Sequence, residues 1–354
     1  LGTSGINQLT TAQISTLSSS NIASLSSAQI INLSSTLFGN LSSSQISSIS
    51  TAALSSLTSD KLQAFGTTGA SALSASQISA LGTSGITNLS GSQLGALSTS
   101  AINTLSTAQI AALGTTNISN FSSTQLRALS SSAINTLSSA QIAQLDTKMA
   151  TLTSSQIGAL ATAVIKELSS AQIQALGTSG ITALKTNQIQ ALDTADVANL
   201  TSSQVGALTS SQIAALTSSQ IVGLETADMG ALTSAQVKAL SATTVGQLSS
   251  SQIKTLTSAQ LQALTSAQIQ ALGTSSINEL TTAQISTLSS SNIASLSSAQ
   301  ISNLSSTLFG NLSSSQISSI STAALSSLTS DKLQAFGTTG ASALSASQIS
   351  ALGT

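Results

Sequence analysis

The stretch LTTAQIST (residues 9–16), continued by LSSSNIAS (17–24) and LSSAQIIN (25–32), shows the pattern that the whole chain follows. Each eight-residue unit, or octad, opens with a large apolar residue at position zero and carries a second apolar residue at position five. Leu9 and Ile14 are one such pair, and we predict that both positions are buried in every octad. A period this short is typical of a stacked array of units that contact their neighbours, rather than of a globular domain.

The spacing within an octad predicts one short helix per octad. In a strand, positions zero and five would point to opposite faces, which argues against a simple β-helix. In a helix, Thr or Ser at position one is the N-cap, Gln at position four completes a capping box, and the two apolar residues form a hydrophobic staple. Thr265 and Gln268, between Leu264 and Ile269, show the complete pattern. We therefore predict an all-α solenoid of very short capped helices, with a β-solenoid as the alternative.

Alternate octads differ, which indicates that they have different surroundings. With octads counted from Leu1 as zero, odd octads carry Gln at position four, except where Lys61 and Lys332 stand. Even octads do so only at Gln212 and Gln260. The simplest geometry is a coil of two octads, or 16 residues, with the Gln side chains in a column along one face; four octads per coil would also satisfy the alternation. We interpret the column as repeated capping, and a polar ladder that binds sugar or ice is the alternative.

The chain shows no composition break, so we predict a single continuous repeat array over residues 1–354. One register slip occurs at residues 145–152, where the interval from Leu145 to Leu152 is one residue short, and we expect it to shorten a turn between helices. Residues 272–354 duplicate residues 1–83 with three changes, which are Gly5 to Ser276, Gln8 to Glu279 and Ile31 to Ser302. Because both ends fall within the pattern, we expect the chain to be a segment of a longer array.

Composition argues against several classes of function. The chain has no His and no Cys, so the commonest general base, the thiolate nucleophile and the usual zinc ligands are missing. We predict that the chain is not an enzyme and has no catalytic, cofactor-binding or metal-binding residues. Charged residues make up 5% of the chain and the net charge is −1, which argues against nucleic-acid binding. No apolar run approaches the roughly 18 residues of a membrane span, so membrane insertion is not expected.

Two pairs of acidic residues are the only candidates for a metal site. Asp193 and Asp196, like Glu225 and Asp228, are three residues apart on one helical turn. A weak calcium site is one interpretation, but no Asp-rich calcium-binding loop is present. Acidic residues are also favoured in the first turn of a helix by its dipole, and we prefer that interpretation. The remaining notable charges are interpreted as solvated surface residues: Asp60, Lys61, Arg127, Lys166 and Glu167.

The recurring LTxAQI/V motif, as in LTTAQI (9–14) and LTSAQV (232–237), resembles the short-helix octapeptide-repeat tracts of very large bacterial surface and adhesin-like proteins. The resemblance covers essentially the whole chain. It implies an exported, extended, structural segment that is extracellular or at the cell surface.

Two functions follow as expectations. The first is a structural repeat protein that forms or extends a surface fibre, filament or adhesin stalk by solenoid stacking and self-association, with itself as partner. The alternative is a binding module whose repetitive Ser/Thr/Gln face engages a glycan, ice or another surface. An ordered sugar site would need aromatic residues at one place. The five Phe residues instead all occupy core positions of the octad, which favours the structural function.

Overall fold

The computed structural model describes residues 2–352. Leu1, Gly353 and Thr354, which belong to the predicted octad pattern, lie outside the described residues. Within residues 2–352 all regular structure is helical, with 42 short α-helices and two 3₁₀-helices. The all-α prediction is therefore confirmed, and the alternative β-solenoid is not supported. The chain divides into two compact units, Leu1–Leu184 and Lys185–Thr354, and the prediction of one continuous array stays a prediction.

The first unit contains helices of four to seven residues, each within one octad. They are η1 (Gly5–Gln8), α1 (Thr11–Thr16), α2 (Ser19–Ala23), α3 (Ser27–Asn32), α4 (Ser35–Phe38), α5 (Ser43–Ser47), α6 (Thr51–Leu54), α7 (Ser59–Ala64), α8 (Gly66–Ser71), α9 (Ala75–Ala80), α10 (Gly82–Asn88), α11 (Gly91–Ala96), α12 (Thr99–Asn103), α13 (Thr107–Ala112), α14 (Thr115–Ser119), α15 (Ser123–Ala128), α16 (Ser131–Asn135), α17 (Ser139–Ala143), η2 (Asp146–Thr151), α18 (Ser154–Ile157), α19 (Thr162–Ile165), α20 (Ser170–Ala175) and α21 (Gly177–Ala183).

The second unit continues with helices of four to six residues. They are α22 (Thr186–Ala191), α23 (Thr194–Ala198), α24 (Ser202–Ala207), α25 (Ser210–Ala215), α26 (Ser218–Val222), α27 (Thr226–Ala231), α28 (Ser234–Ala239), α29 (Ala242–Gly246), α30 (Ser250–Thr255), α31 (Ser258–Ala263), α32 (Ser266–Ala271), α33 (Thr274–Asn278), α34 (Thr282–Thr287), α35 (Ser290–Ala294), α36 (Ser298–Asn303), α37 (Ser306–Phe309), α38 (Ser314–Ser318), α39 (Thr322–Leu325), α40 (Ser330–Ala335), α41 (Gly337–Ser342) and α42 (Ala346–Ala351).

Capping residues begin and end each helix. At α32 the N-cap Thr265 has extended backbone angles, and its hydroxyl accepts a hydrogen bond of 3.3 Å from the backbone N–H of Gln268. The Gln268 Oε1 accepts in return from the Thr265 amide at 2.8 Å. The following residue, Leu272, is again extended (φ −61°, ψ 124°) and ends the helix. Isolated helices shorter than about 12 residues are marginal in water, so these helices depend on their neighbours for stability.

Each helix packs against the third helix along the chain, which defines the coil. In the second unit α29 packs against α32 and α28 against α31, and in the first unit α1 packs against α4. Hydrogen bonds between coils join residues such as Asn7 and Asn32, 25 residues apart, or Gln45 and Ile14, 31 residues apart. A coil therefore closes after between three and four octads in each unit.

The predicted coil of two octads is wrong. With three to four octads per coil, the chain turns through only a quarter to a third of a circle at each junction between helices, so two helices cannot complete a coil. The Gln side chains bond octads of both parities, since the Gln45 Nε2 donates to the carbonyls of Ile14, four octads back, and of Leu17, three octads back.

The core consists of the residues at positions zero and five. Their predicted burial is confirmed for the coils that have a neighbour on both sides. Leu264 and Ile269 are buried, and each such side chain contributes about 1.5–3 kcal/mol by leaving water. The prediction is wrong for some octads of the first and last coils, where Leu17 is half-buried and Ile349 is exposed. These positions have no preceding or following coil in the structure to cover them.

Most helices are joined through residues with extended backbone angles, as at Leu272. Four glycines with positive φ form a different connection. At one of them, Gly82 has φ +61° while Leu81 before it is helical (φ −61°, ψ −22°), and the Gly85 amide donates to the Leu81 carbonyl at 3.0 Å. A Cβ at Gly85 would lie 2.7 Å from the Leu81 Cβ, so only glycine fits there. Gly273, whose octad carries Ser276 at the same place, keeps an ordinary extended cap with φ −63°. Each of the four octads with this turn carries glycine at both positions one and four. The four glycines are Gly66, Gly82, Gly177 and Gly337.

At the register slip the helix begins directly after the residue at position zero, because Leu145 is also its N-cap. Met149 fills the buried position five although it follows Leu145 by only four residues. The chain accommodates this with the 3₁₀-helix η2, in which the Lys148 amide donates to the Leu145 carbonyl at 2.7 Å. Asp146 takes φ 47°, a conformation unusual for a residue with a side chain. The predicted shortened turn is thus present, and η2 packs against α15 and α20 as a helix at that place would.

Candidate functional site: the glutamine ladder

The side chains at position four connect one coil to the next through their amide groups, and we call this set the glutamine ladder. In each case the side-chain Nε2 donates to a backbone carbonyl 30 or 31 residues earlier. The members are Gln45, Gln77, Gln93, Gln109, Gln125, Gln141, Gln156 and Gln172 in the first unit, and Gln220, Gln236, Gln252, Gln260, Gln268, Gln284, Gln300, Gln316 and Gln348 in the second.

Each side-chain amide of the ladder bonds two helices, as Gln268 shows. The Gln268 Oε1 caps the amino end of its own helix α32. Its Nε2 donates to the carbonyls of Val237 at 3.1 Å and Leu240 at 2.8 Å, at the carboxyl end of α28 one coil earlier. The ends of a helix leave four N–H and four C=O groups without helical partners, which in a six-residue helix is most of its backbone. The ladder therefore supplies hydrogen bonds that such short helices lack at both ends.

The ladder lies inside the solenoid rather than on its surface. Gln268 is 2% exposed, and the other members are also buried. The interpretation of the Gln residues as repeated caps is confirmed by the capping boxes, but their predicted placement as a column along a face is wrong. Sequence reasoning also missed the second bond of each amide, to the preceding coil. A buried amide that already bonds two helices is not available to a ligand at the surface.

Two lysine side chains bond the preceding coil as the Gln side chains do: Lys61, where most odd octads carry Gln, and Lys148, in the octad of the register slip. The Lys61 Nζ donates to the Ile31 carbonyl, and the Lys148 Nζ donates to the carbonyls of Ser119 at 2.7 Å and Phe121 at 2.9 Å. Both side chains are half-buried. The interpretation of Lys61 as a solvated surface charge is therefore wrong, because its ammonium group bonds the preceding coil as a Gln amide does elsewhere.

Even octads make shorter links between coils. The Asn292 Nδ2 donates to the Leu264 carbonyl at 3.0 Å, one coil earlier. The Asp228 carboxylate has no donor for a carbonyl and instead accepts a 2.7 Å hydrogen bond from the Ser202 hydroxyl. Position four thus contributes to the contact between coils in both kinds of octad.

Asn7 supplies a cap to a helix that has no capping box of its own. Helix α4 carries Leu37 where a Gln would accept from the N-cap amide. The Asn7 Oδ1, from the preceding coil, accepts instead from the Ser34 amide at 2.8 Å, and its Nδ2 donates to the Asn32 carbonyl at 2.6 Å. In the duplicated segment Asn278 bonds the Ser305 amide and the Asn303 carbonyl in the same way.

The acidic pairs lie at the amino ends of helices. Asp193 is the N-cap of α23 and accepts from the Asp196 amide at 2.7 Å, while Asp196 accepts from the Asp193 amide at 3.3 Å. Burial raises the pKa of the Asp196 carboxyl, with a smaller contribution from the nearby Asp193 charge. Glu225 is exposed at the start of α27, with Asp228 buried beside it. Among residues 2–352 no three potential metal ligands cluster, and the geometry is that of acidic residues in a first helical turn.

The other charges predicted at the surface lie there. Asp60, Lys166, Glu167 and Arg127 are exposed, and the Arg127 Nε donates to a backbone carbonyl of the next coil. A further ion pair joins Lys254 and Glu279 at 2.6 Å across adjacent coils, and Glu279 is one of the three changes in the duplicated segment.

The family model described as the ALTTAQ repeat matches residues 91–123, 149–186, 189–224, 221–258, 245–274 and 254–290. Between residues 91 and 290 the chain is thus similar to a known short repeat, and the ALTSAQ stretch at residues 231–236 differs from that repeat's name by one letter. No curated protein matches the chain. Within the described residues, no helix has both the length and the apolar character needed to cross a membrane.

Proposed function

We propose that this chain is a structural repeat tract that extends, and associates with copies of itself, as a fibre or stalk at a bacterial cell surface. The glutamine ladder is the observation that carries the proposal. Positions zero and five of the octad fill the core, and positions one and four cap helices and join coils. The residues that define the repeat therefore hold the coils together, and the motif leaves none of them for a substrate or ligand. We propose no enzymatic activity.

The hydroxyl groups at the ends of the helices support the same function over a binding module. The Thr255 hydroxyl donates to the Gln252 carbonyl and the Thr287 hydroxyl to the Gln284 carbonyl, each at 2.8 Å within its own helix. Together with the burial of the Gln side chains, this reduces the polar face that a glycan or ice surface could contact. The proposed location outside a bacterial cell rests on the resemblance of the LTxAQI/V motif to tracts of bacterial surface proteins.

The low surface charge supports self-association. Soluble domains ordinarily keep enough charge to resist contact between copies, whereas this chain has eight basic and nine acidic residues over its 354 positions. Contacts between copies would then be apolar and hydrogen-bonded, and they would depend little on ionic strength.

Sedimentation velocity and negative-stain microscopy of the 354-residue chain test this proposal. We expect fibres or large assemblies to form as the protein concentration rises, to a similar extent in low and high salt. A chain that stays folded and monomeric at high concentration in both salts would contradict self-association. Assemblies that dissociate when salt is added would support association but contradict apolar contacts as its basis.

A further inference from the structure

The hydrogen bonds between coils in the second unit join residues at a nearly constant distance along the chain. The Gln252 Nε2 donates to the carbonyls of Ile221 and Leu224, 31 and 28 residues earlier, each at 3.0 Å. The Gln262 Nε2 donates to the Thr287 carbonyl, 25 residues later, also at 3.0 Å. Each link therefore joins a coil to its neighbour in the stack, and between the two linked residues the chain runs once around the coil.

The helices depend on these links because they are too short to be stable alone. Helices α31 and α32 have six residues each, and isolated helices shorter than about 12 residues are marginal in water. Leu261 and Ile269 are fully buried in the stack, but a single helix would leave both side chains in water. A coil that is pulled away from its neighbours therefore loses its helices as well.

Tension along the chain loads the coils one after another. The chain enters and leaves a coil at points that are 25 to 31 residues apart, and the links run from coil to coil. A pull on the chain first strains the links of the coil nearest to the point of attachment, and the next coil bears the load only after that one has opened. Elements that are sheared past each other would instead have all their links strained at once and would open together.

We propose that each unit lengthens coil by coil under tension and so serves as an extensible, load-bearing element. The use of this extension in a stalk rests on the proposed function, whereas the extension itself is a property of the single chain. A released coil of 25 to 31 residues spans about 85–105 Å when it is extended at about 3.4 Å per residue. Packed helices of neighbouring coils are about 8–10 Å apart, so each released coil adds about 75–95 Å to the length.

The sequence favours recovery once the tension falls. The capping box of Thr257 and Gln260 lies within one octad, so it can re-form together with its own helix. Short helices form within about a microsecond, whereas proline isomerisation and disulfide exchange take seconds or longer. The chain has no Pro and no Cys, so neither slow step delays refolding. We therefore expect the extension to be reversible.

Optical tweezers on the whole chain test the proposal. Because the chain has no cysteine, the substitutions Ala12→Cys and Ala346→Cys, at exposed positions, provide two unique attachment points for DNA handles. We expect lengthening in repeated steps of about 75–95 Å at similar forces, and the same steps in reverse on relaxation. Opening of a whole unit in one event of about 500 Å would overturn the proposal, as would a chain that does not shorten again when the force is removed.

A matched pair of variants tests the part played by the links. Gln268 and Gln270 both lie on α32, but Gln268 is 2% exposed and bonds the preceding coil, whereas Gln270 is exposed and its side chain makes no hydrogen bond within residues 2–352. We expect Gln268→Ala to lower the force of one step and leave the other steps unchanged, and Gln270→Ala to change none. Equal effects of the two substitutions would overturn the proposal, as would a lower force at every step in Gln268→Ala.

The outcomes separate this inference from the proposed self-association. A chain that lengthens in steps but stays monomeric in solution would support the extension and contradict self-association. A chain that forms fibres but opens in one event would contradict the extension and leave self-association standing.

Discussion

Replacement of Gln268 by Ala tests the double role of the glutamine ladder. The side chain is 2% exposed and accepts from the Thr265 amide at 2.8 Å. It also donates to the Val237 and Leu240 carbonyls, 31 and 28 residues earlier. The substitution therefore removes a cap within α32 and the link to α28 at the same time.

The structure allows the cost of this substitution to be estimated. Loss of a helix cap costs about 1 kcal/mol, and each of the two hydrogen bonds between coils contributes about 1 kcal/mol. We therefore expect Gln268→Ala to reduce stability by about 3 kcal/mol. Capping alone would predict about 1–2 kcal/mol even for the double variant Thr265→Ala/Gln268→Ala. Gln13→Ala is the matched control, because Gln13 caps its own helix and bonds no other coil among residues 2–352, and we expect it to cost about 1 kcal/mol.

Native-state hydrogen exchange is the appropriate assay, because the stability of a stacked array is shared between neighbouring units and whole-chain unfolding need not be two-state. We expect the amides of both α28 and α32 to lose protection by about a hundredfold in Gln268→Ala, which corresponds to about 3 kcal/mol. A loss confined to α32 would refute the role of the amide as a link between coils. So would an equal cost for Gln268→Ala and Gln13→Ala.

Three further predictions follow from other parts of the structure. Because burial raises the pKa of Asp196, its contribution to stability is lost as the pH rises above the ordinary value of 3.8, so Asp196→Asn should raise the urea midpoint at pH 7 and have little effect near pH 3. No gain at neutral pH would contradict this. Gly85→Ala should destabilise by about 1–3 kcal/mol, because its Cβ would meet the Leu81 Cβ at 2.7 Å; a crystal structure of the variant should show this junction converted to the extended form. Leu256→Asp, at a position 3% exposed, should reduce amide protection over several coils, and loosening of one octad alone would indicate independently stable units.

The helices can be predicted from the octad alone, because the interactions that begin and end them are local. The Thr265 hydroxyl and the Gln268 side chain are three residues apart, so their capping box needs no information about the rest of the chain. The left-handed turn at Gly82 is equally local, and the pairing of Gly82 with Gly85 was a signal that could have revealed it. The pattern of buried residues at positions zero and five is likewise visible in the octad, apart from the uncovered first and last coils.

The number of octads in a coil, and the residues that meet between coils, follow from the packing of the whole chain and not from the octad. The alternation of octads is compatible with more than one number of octads per coil, and only the packing of each helix against the third helix along the chain shows which coil forms. Once the coil closes after three to four octads, the Gln268 Nε2 lies 3.1 Å from the Val237 carbonyl, 31 residues away in sequence. The half-buried position of Lys61 and the burial of the Gln side chains have the same origin. These contacts depend on which octads become neighbours in space, and the sequence of one octad does not specify its neighbours in space.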